Sequence, residues 1–145
     1  MENNVKRKWQ IIISASDIDL YNPTTEEIID LITASLPYNE IASHLRRLAA
    51  HIIKTIIYKK TTRNWQTTIK DASIKIRRLN TRRKAKGIYF DLTAIRKMLT
   101  EEWNAALIWV AKESEDQWTV SALKREVSIS SIWKKIEILK LDQRV

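Results

Sequence analysis

No cysteine occurs anywhere in the 145 residues, which removes disulfides, thiolate nucleophiles and cysteine-ligated zinc from consideration. Only one glycine and two prolines are present. Hairpin turns use Gly, Asn and Pro heavily, so an all-β fold is disfavoured. Walker loops and dinucleotide fingerprints need several glycines and are excluded outright. Long apolar runs are missing too: the longest, Ala105 to Ala111, has seven residues, well short of the ~18 of a membrane span. Lys6-Arg7-Lys8 followed by Ile11-Ile12-Ile13 imitates the start of a signal peptide, but the apolar part is short and Gln10 interrupts it. At this length a single domain with a real core is expected.

Basic residues dominate the charge balance, with 26 Lys and Arg against 17 Asp and Glu and a net charge of +9. The excess is concentrated between Lys59 and Lys86. Eleven cations lie there: Lys59, Lys60, Arg63, Lys70, Lys75, Arg77, Arg78, Arg82, Arg83, Lys84 and Lys86. Asp71 is the one acid, so eleven bases less one acid leave +10, and the rest of the chain sums to −1. A stretch so one-sided has almost no internal ion pairing and calls for an anionic partner, of which nucleic acid is the usual one.

The same stretch carries helical periodicity. Trp65, Ile69, Ala72, Ile76 and Leu79 step by 4, 3, 4 and 3, one stripe of an α-helix. Arg63, Lys70, Arg77 and Lys84 fall on one flank of that stripe, Lys75 and Arg82 on the other. A helix over all of 59–86 would span about 42 Å, long enough to follow a duplex backbone past several phosphates.

Around this basic helix the chain reads as an all-α bundle of about four to six helices. Residues 1–21 are expected to form a flexible N-terminal arm, and 22–145 the helical domain. In the arm, three β-branched residues, Ile11, Ile12 and Ile13, favour extended backbone. Trp9 with Ile11 to Ile13 is a candidate subunit-interface plug, and Lys6, Arg7 and Lys8 beside it are candidate phosphate ligands. Such an arm should be disordered in the free protein. Pro23-Thr24-Thr25-Glu26-Glu27 starts a helix, Thr24 and Glu27 forming a capping box. Pro37 is expected to end it, and Asn39 to cap a second helix whose face is Ile41, Leu45, Leu48, Ile52 and Ile56, widened by Ala49, Ile53 and Ile57. Gly87 is read as the left-handed cap of the basic helix. Asp91 caps the next, with Phe90 and Ile95 as a staple and Leu92, Ile95, Leu99, Trp103, Ala106 and Val110 as its face. Thr100-Glu101-Glu102 offers an alternative restart within it. Both broad faces, Ile41–Ile57 and Leu92–Val110, are wide enough for subunit contacts.

No catalytic constellation is visible. His44 and His51 share a helix with Glu40 one turn before His44, but lack further ligands for a metal. Asp17 with Asp19, and Glu113 with Glu115 and Asp116, are the close acid pairs that could hold Mg²⁺, and neither has an accompanying motif. No enzyme activity, metal or cofactor is expected.

Two resemblances bear on function. The run VSALKREVSISSIWKKIEIL, within residues 118–141, partly resembles the helix-turn-helix of winged-helix regulators. It carries Ser128 where the turn often has Gly, and its second helix is about two residues out of register. In layout, with its arm, wide apolar faces and single cationic helix, most of the chain resembles the α-helical major capsid proteins of filamentous viruses of hyperthermophilic archaea. That resemblance implies a structural protein of the virion, assembled in the host cytoplasm. It would pair with itself or a paralogous coat protein, polymerise helically and coat double-stranded DNA, held in A-form, without sequence specificity. The absence of cysteine and abundance of charge and Ile suit a hot habitat, although an AT-rich genome also raises Ile. The alternatives are a helix-turn-helix transcriptional regulator and a helical module whose basic face meets an acidic protein.

Overall fold

The computed structural model describes residues 2–16, 18–19, 21–82 and 87–144. Among them the chain forms six helices: α1 (Glu2–Ser16), α2 (Thr25–Ile57), α3 (Arg63–Asn80), α4 (Leu92–Glu113), α5 (Val120–Glu126) and α6 (Ile129–Glu137). The one non-helical pairing among them is an isolated antiparallel bridge between Thr81 and Ile88. The all-α expectation therefore holds. No helix among the described residues is long and apolar enough to cross a membrane.

The spine is α2, 33 residues long, or about 50 Å. It opens on the expected capping box: Glu27 N–H donates to Thr24 Oγ1 at 3.2 Å, and Thr24 N–H to Glu27 Oε1 at 3.0 Å. Pro37 does not end it, contrary to expectation, and Asn39 caps nothing; Pro37 lies inside the helix. Pro in a helix interior costs about 3 kcal/mol. Against that, Ala34, Tyr38, Ile41 and Leu45, at steps of 4, 3 and 4, are buried along one unbroken face. Each large apolar side chain buried contributes about 1.5–3 kcal/mol, so continuity outweighs the lost hydrogen bond.

Helices α1, α3, α4 and α6 all pack on α2. Leu45, Leu48, Ile52 and Ile53 interleave with Ile95, Met98, Leu99, Leu107 and Val110 of α4 in one core. The faces expected to have apolar surface left for another subunit are thus consumed within the chain. Helix α4 runs unbroken through Thr100, whose hydroxyl donates to Arg96 O at 3.2 Å, so no second helix starts there. Asp91 caps it as read, accepting from Ala94 N–H at 2.8 Å, and the staple residues Phe90 and Ile95 are both buried.

The N-terminal segment is the main departure. Residues Glu2–Ser16 are a helix lying on α2 and α4 rather than an extended arm. Ile11 and Ile12 are buried in the chain's own core, and Trp9 packs against that core half-buried. Ile13 is half-buried as well. The signal was present: Lys8, Ile11, Ile12 and Ala15 follow i, i+3, i+4, i+7, a helical stripe that three adjacent isoleucines obscured. Strand propensity is weak beside burial of a face.

The basic helix is shorter than expected. Lys59 takes a left-handed backbone (φ 52°), and Thr62 caps α3 by accepting from Trp65 N–H at 3.1 Å. Its other end is held by Asn80, which has no exposed surface. The Asn80 Nδ2 donates to Phe90 O (2.8 Å) and Leu141 O (3.2 Å), while Oδ1 accepts from Phe90 N–H (2.8 Å). Tyr89 N–H adds a bond to Asn80 O at 2.9 Å. One side chain therefore ties the end of α3 to the start of α4 and to the C-terminal tail. Gly87 is not the helix cap. It directly precedes the bridge residue Ile88, with φ 110°, a backbone that suits glycine.

Two substitutions test this architecture. Asn80→Ala would leave the Phe90 N–H and two carbonyls without partners, and should lower unfolding free energy by about 2–4 kcal/mol in urea titration. Ile12→Ala should cost about 2–5 kcal/mol; a cost near zero would restore the flexible-arm reading.

Candidate nucleic-acid interface

Helix α3 divides cleanly by face. Ala72, Ser73, Ile76 and Asn80 are buried, with Trp65, Ile69 and Leu79 half-buried beside them. Arg63, Lys70, Lys75 and Arg78 point away and are exposed, as are Lys59 and Lys60 in the turn before the helix. None of these six forms an ion pair within the described residues. Over its 18 residues the helix spans about 27 Å. Arg63 and Lys70, seven residues apart, lie about 10 Å apart along the axis on nearly the same side.

Not every cation in the stretch is free. Arg82 pairs with Asp30 of α2 at 3.4 Å and lies over the Tyr89 ring at 5.5 Å. It fastens the exit of α3, unlike the unpaired outward cations. Arg77 is half-buried, and its Nε is buried with no hydrogen-bond partner among the described residues. Arg83, Lys84 and Lys86 lie outside the described residues.

The N-terminal trio is similarly divided. Lys6 is exposed. Arg7 pairs with Glu101 of α4 at 3.4 Å, and Lys8 lies over the rings of Trp9 (5.7 Å) and Tyr38 (5.8 Å). Arg7 and Lys8 therefore help seat α1, so the expected phosphate-gripping cluster is largely engaged within the fold.

At the α2–α3 turn, sequence reading missed an aromatic pair. Tyr58 and Trp65 meet with ring centroids 5.8 Å apart and planes 35° from parallel. They border an opening of about 300 Å³ with Lys54, Lys60, Val110 and Glu113. Lys54, nearly buried, pairs with Glu113, which also accepts from Trp109 Nε1 at 2.6 Å. Burial alone would raise the Glu113 carboxyl, but the hydrogen bonds from Lys54 and Trp109 and the charges of Lys54 and His51 bring it below its ordinary value. These partners come from α2 and α4, 59 residues apart, so no local spacing could announce them.

The histidines are structural in setting. His51 lies edge-on to Trp109 at 6.3 Å, and its Nδ1 donates to Arg47 O at 2.9 Å. No group of three metal-ligating side chains gathers among the described residues. Asp17 lies outside them, and Asp19 accepts from Tyr21 N–H at 3.0 Å.

At the C-terminus, α5 and α6 are joined through Val127 and Ser128, both with extended backbone, so this turn needs no glycine. Helix α6 buries Ile132, Trp133 and Ile136, and Arg96 of α4 lies over the Trp133 ring at 6.0 Å. Lys134 and Lys135 are exposed.

Both histidines titrate below their ordinary value. Burial depresses His44 first, then Lys75 and Arg47, with Glu40 opposing. For His51 burial leads, Lys54 and Arg47 add to it, and the Arg47 carbonyl and Glu113 oppose. A folded histidine that binds protons less readily than its unfolded form lowers stability as pH falls below about 6.5. Thermal unfolding temperature should therefore be level above that pH and decline toward pH 5. The His44→Gln/His51→Gln double variant should flatten the decline; an unchanged slope would assign it to carboxylates.

Comparison with known protein families, curated proteins and solved structures finds no match to this chain.

Proposed function

We propose that the protein is a structural DNA-binding protein that coats duplex DNA through phosphate contacts, without sequence preference. The observation that carries this reading is the outward side of α3 and its leading turn, where six exposed cations, Lys59, Lys60, Arg63, Lys70, Lys75 and Arg78, have no ion-pair partner among the described residues. Their like charges repel one another, and a phosphate backbone relieves that repulsion. A rigid helix presenting side chains along about 27 Å suits a regular polyanion better than a small ligand. The resemblance to coat proteins of filamentous archaeal viruses supplies the setting: a virion protein that assembles with copies of itself or a paralogue along A-form DNA.

A second reading has one observation in its favour. The tight α5–α6 connection leaves Lys134 and Lys135 exposed on the second helix, the arrangement by which a regulator reads an operator.

Salt titration separates the two. With six phosphates neutralised, the log–log slope of affinity against salt should be about −5, alike for duplexes of unrelated sequence. Charge reversal at Arg63, Lys70 and Arg78 should weaken binding to all of them. Reversal at Lys134 and Lys135 should matter much less. A slope near −1, or strong preference for one sequence that depends on Lys134 and Lys135, would favour the regulator.

A further inference from the structure

The turn between α2 and α3 joins an aromatic pair to unpaired cations. Tyr58 closes α2, and Trp65 lies on the first turn of α3. Among the described residues, the half-buried aromatics Trp9, Tyr89, Trp103, Trp109 and Trp118 pack against the core. Tyr58 and Trp65 stand outside that cluster and meet each other, each half-buried. The Tyr38–Phe90 and Tyr89–Phe90 pairs, by contrast, include the buried Phe90. Tyr and Trp left half in water concentrate at binding surfaces, where an apolar face and a polar tip both find partners. The exposed aliphatics Ile28, Ile29, Ile32 and Leu36 on the first turns of α2 offer no such ring face.

The lining of the opening beside the pair indicates the ligand. Its volume of about 300 Å³ is at the lower end of small-molecule sites. Lys54, Lys60 and Glu113 are its charged lining, and two lysines less one carboxylate leave +1. Lys54 is committed to Glu113, whereas Lys60 is exposed with no ion pair among the described residues. Glu113 accepts from Lys54 at one carboxylate oxygen and from Trp109 Nε1 at the other. Each oxygen keeps a further acceptor site, and the side chain is 47% exposed. A ring face, a free cation and a spare anionic acceptor match the three parts of a nucleotide: a flat base, a phosphate and an exocyclic amino group. We propose that this cleft binds an unpaired nucleotide of a DNA strand, its base stacked on the Tyr58–Trp65 pair, its amino group on Glu113 and its phosphate on Lys60. A paired base is covered on both faces by its neighbours, so the duplex interior is not a ligand. A free nucleotide carries the same chemistry. The strand fits better because Lys59 and Arg63, exposed and unpaired like Lys60, can take the adjoining phosphates. The proposal rests on the packaging reading for the DNA held along α3. It adds that the cleft distinguishes strand ends and unpaired stretches, which phosphate contacts alone do not.

The test measures fluorescence anisotropy of labelled DNA with the full chain. The probes are a blunt duplex and single strands, oligo(dC) and oligo(dT), of about twelve nucleotides. Trp65→Leu should weaken single-strand binding about tenfold and leave the duplex within about twofold, since phosphates alone are contacted there. Trp65→Phe, which keeps a ring, should stay within about threefold of wild type for both. Tyr58→Leu should also weaken the single strands selectively, and it carries the test if Trp65→Leu loses helical circular dichroism. Oligo(dC), which offers an amino group, should bind about threefold or more tighter than oligo(dT), which offers none; equal affinities would remove Glu113 from the site. Deoxycytidine monophosphate should displace the strand only at about a hundredfold higher concentration or more; displacement at equal concentration would overturn the strand in favour of free nucleotides. Loss of neither probe, or equal loss of both, in the two leucine variants overturns the cleft. The packaging reading fails separately. Trp65-dependent single-strand binding without salt-dependent duplex affinity would sink it and leave the cleft standing, while steep duplex binding with no selective single-strand loss would do the reverse.

Discussion

The whole arrangement depends on the unbroken burial of one face of α2. Ala34, Tyr38, Ile41, Leu45, Leu48, Ile52 and Ile53 form that face, and four of the other five helices pack on this helix. Had the helix ended at Pro37, α1 would have lost the first part of its seat and α3 the platform for its C-terminal end. The penalty of an internal proline is fixed at about 3 kcal/mol, whereas the return from burial grows with every turn of continuous face. Helix boundaries here follow the core rather than the strongest local punctuation.

Placement of α3 on the outside of α2 gives the charge its meaning. A +10 stretch buried among other helices would be untenable, since an unpaired buried charge costs several kcal/mol. On the periphery, one face packs and the other stays in water. The structure then spends some of the cations on itself: Arg82 on Asp30, and on other elements Arg7 on Glu101 and Lys54 on Glu113. Within the described part of the basic stretch, the exposed cations left unpaired lie on α3 and its leading turn, next to the Tyr58–Trp65 pair. Asn80 sets where α3 stops, because its side chain is committed to Phe90 and Leu141.

The chain also separates its two kinds of unfinished surface. Apolar surface is left open on the first turns of α2, cationic surface on α3, and Arg78 stands where the two meet. Mutual exclusion of apolar and charged side chains on each helix explains the separation.

Sequence alone determined the helical class, the capping box at Thr24 and Glu27, the Asp91 cap with its Phe90–Ile95 staple, the core stripes of α3 and α4 and the concentration of charge between Lys59 and Lys86. These are local or periodic signals, and each is expressed within a few residues of where it is read. Only tertiary structure decided which cations are free, because Asp30, Glu101 and Glu113 come from other helices. It decided that Ile11 and Ile12 fill the chain's own core, since three adjacent isoleucines are compatible with strand or helix until a surface exists to bury them. It likewise decided that Pro37 lies within a helix and that Ile28, Ile29, Ile32 and Leu36 do not face the core. Which side of an amphipathic segment is covered depends on what packs against it, and periodicity carries no record of the partner.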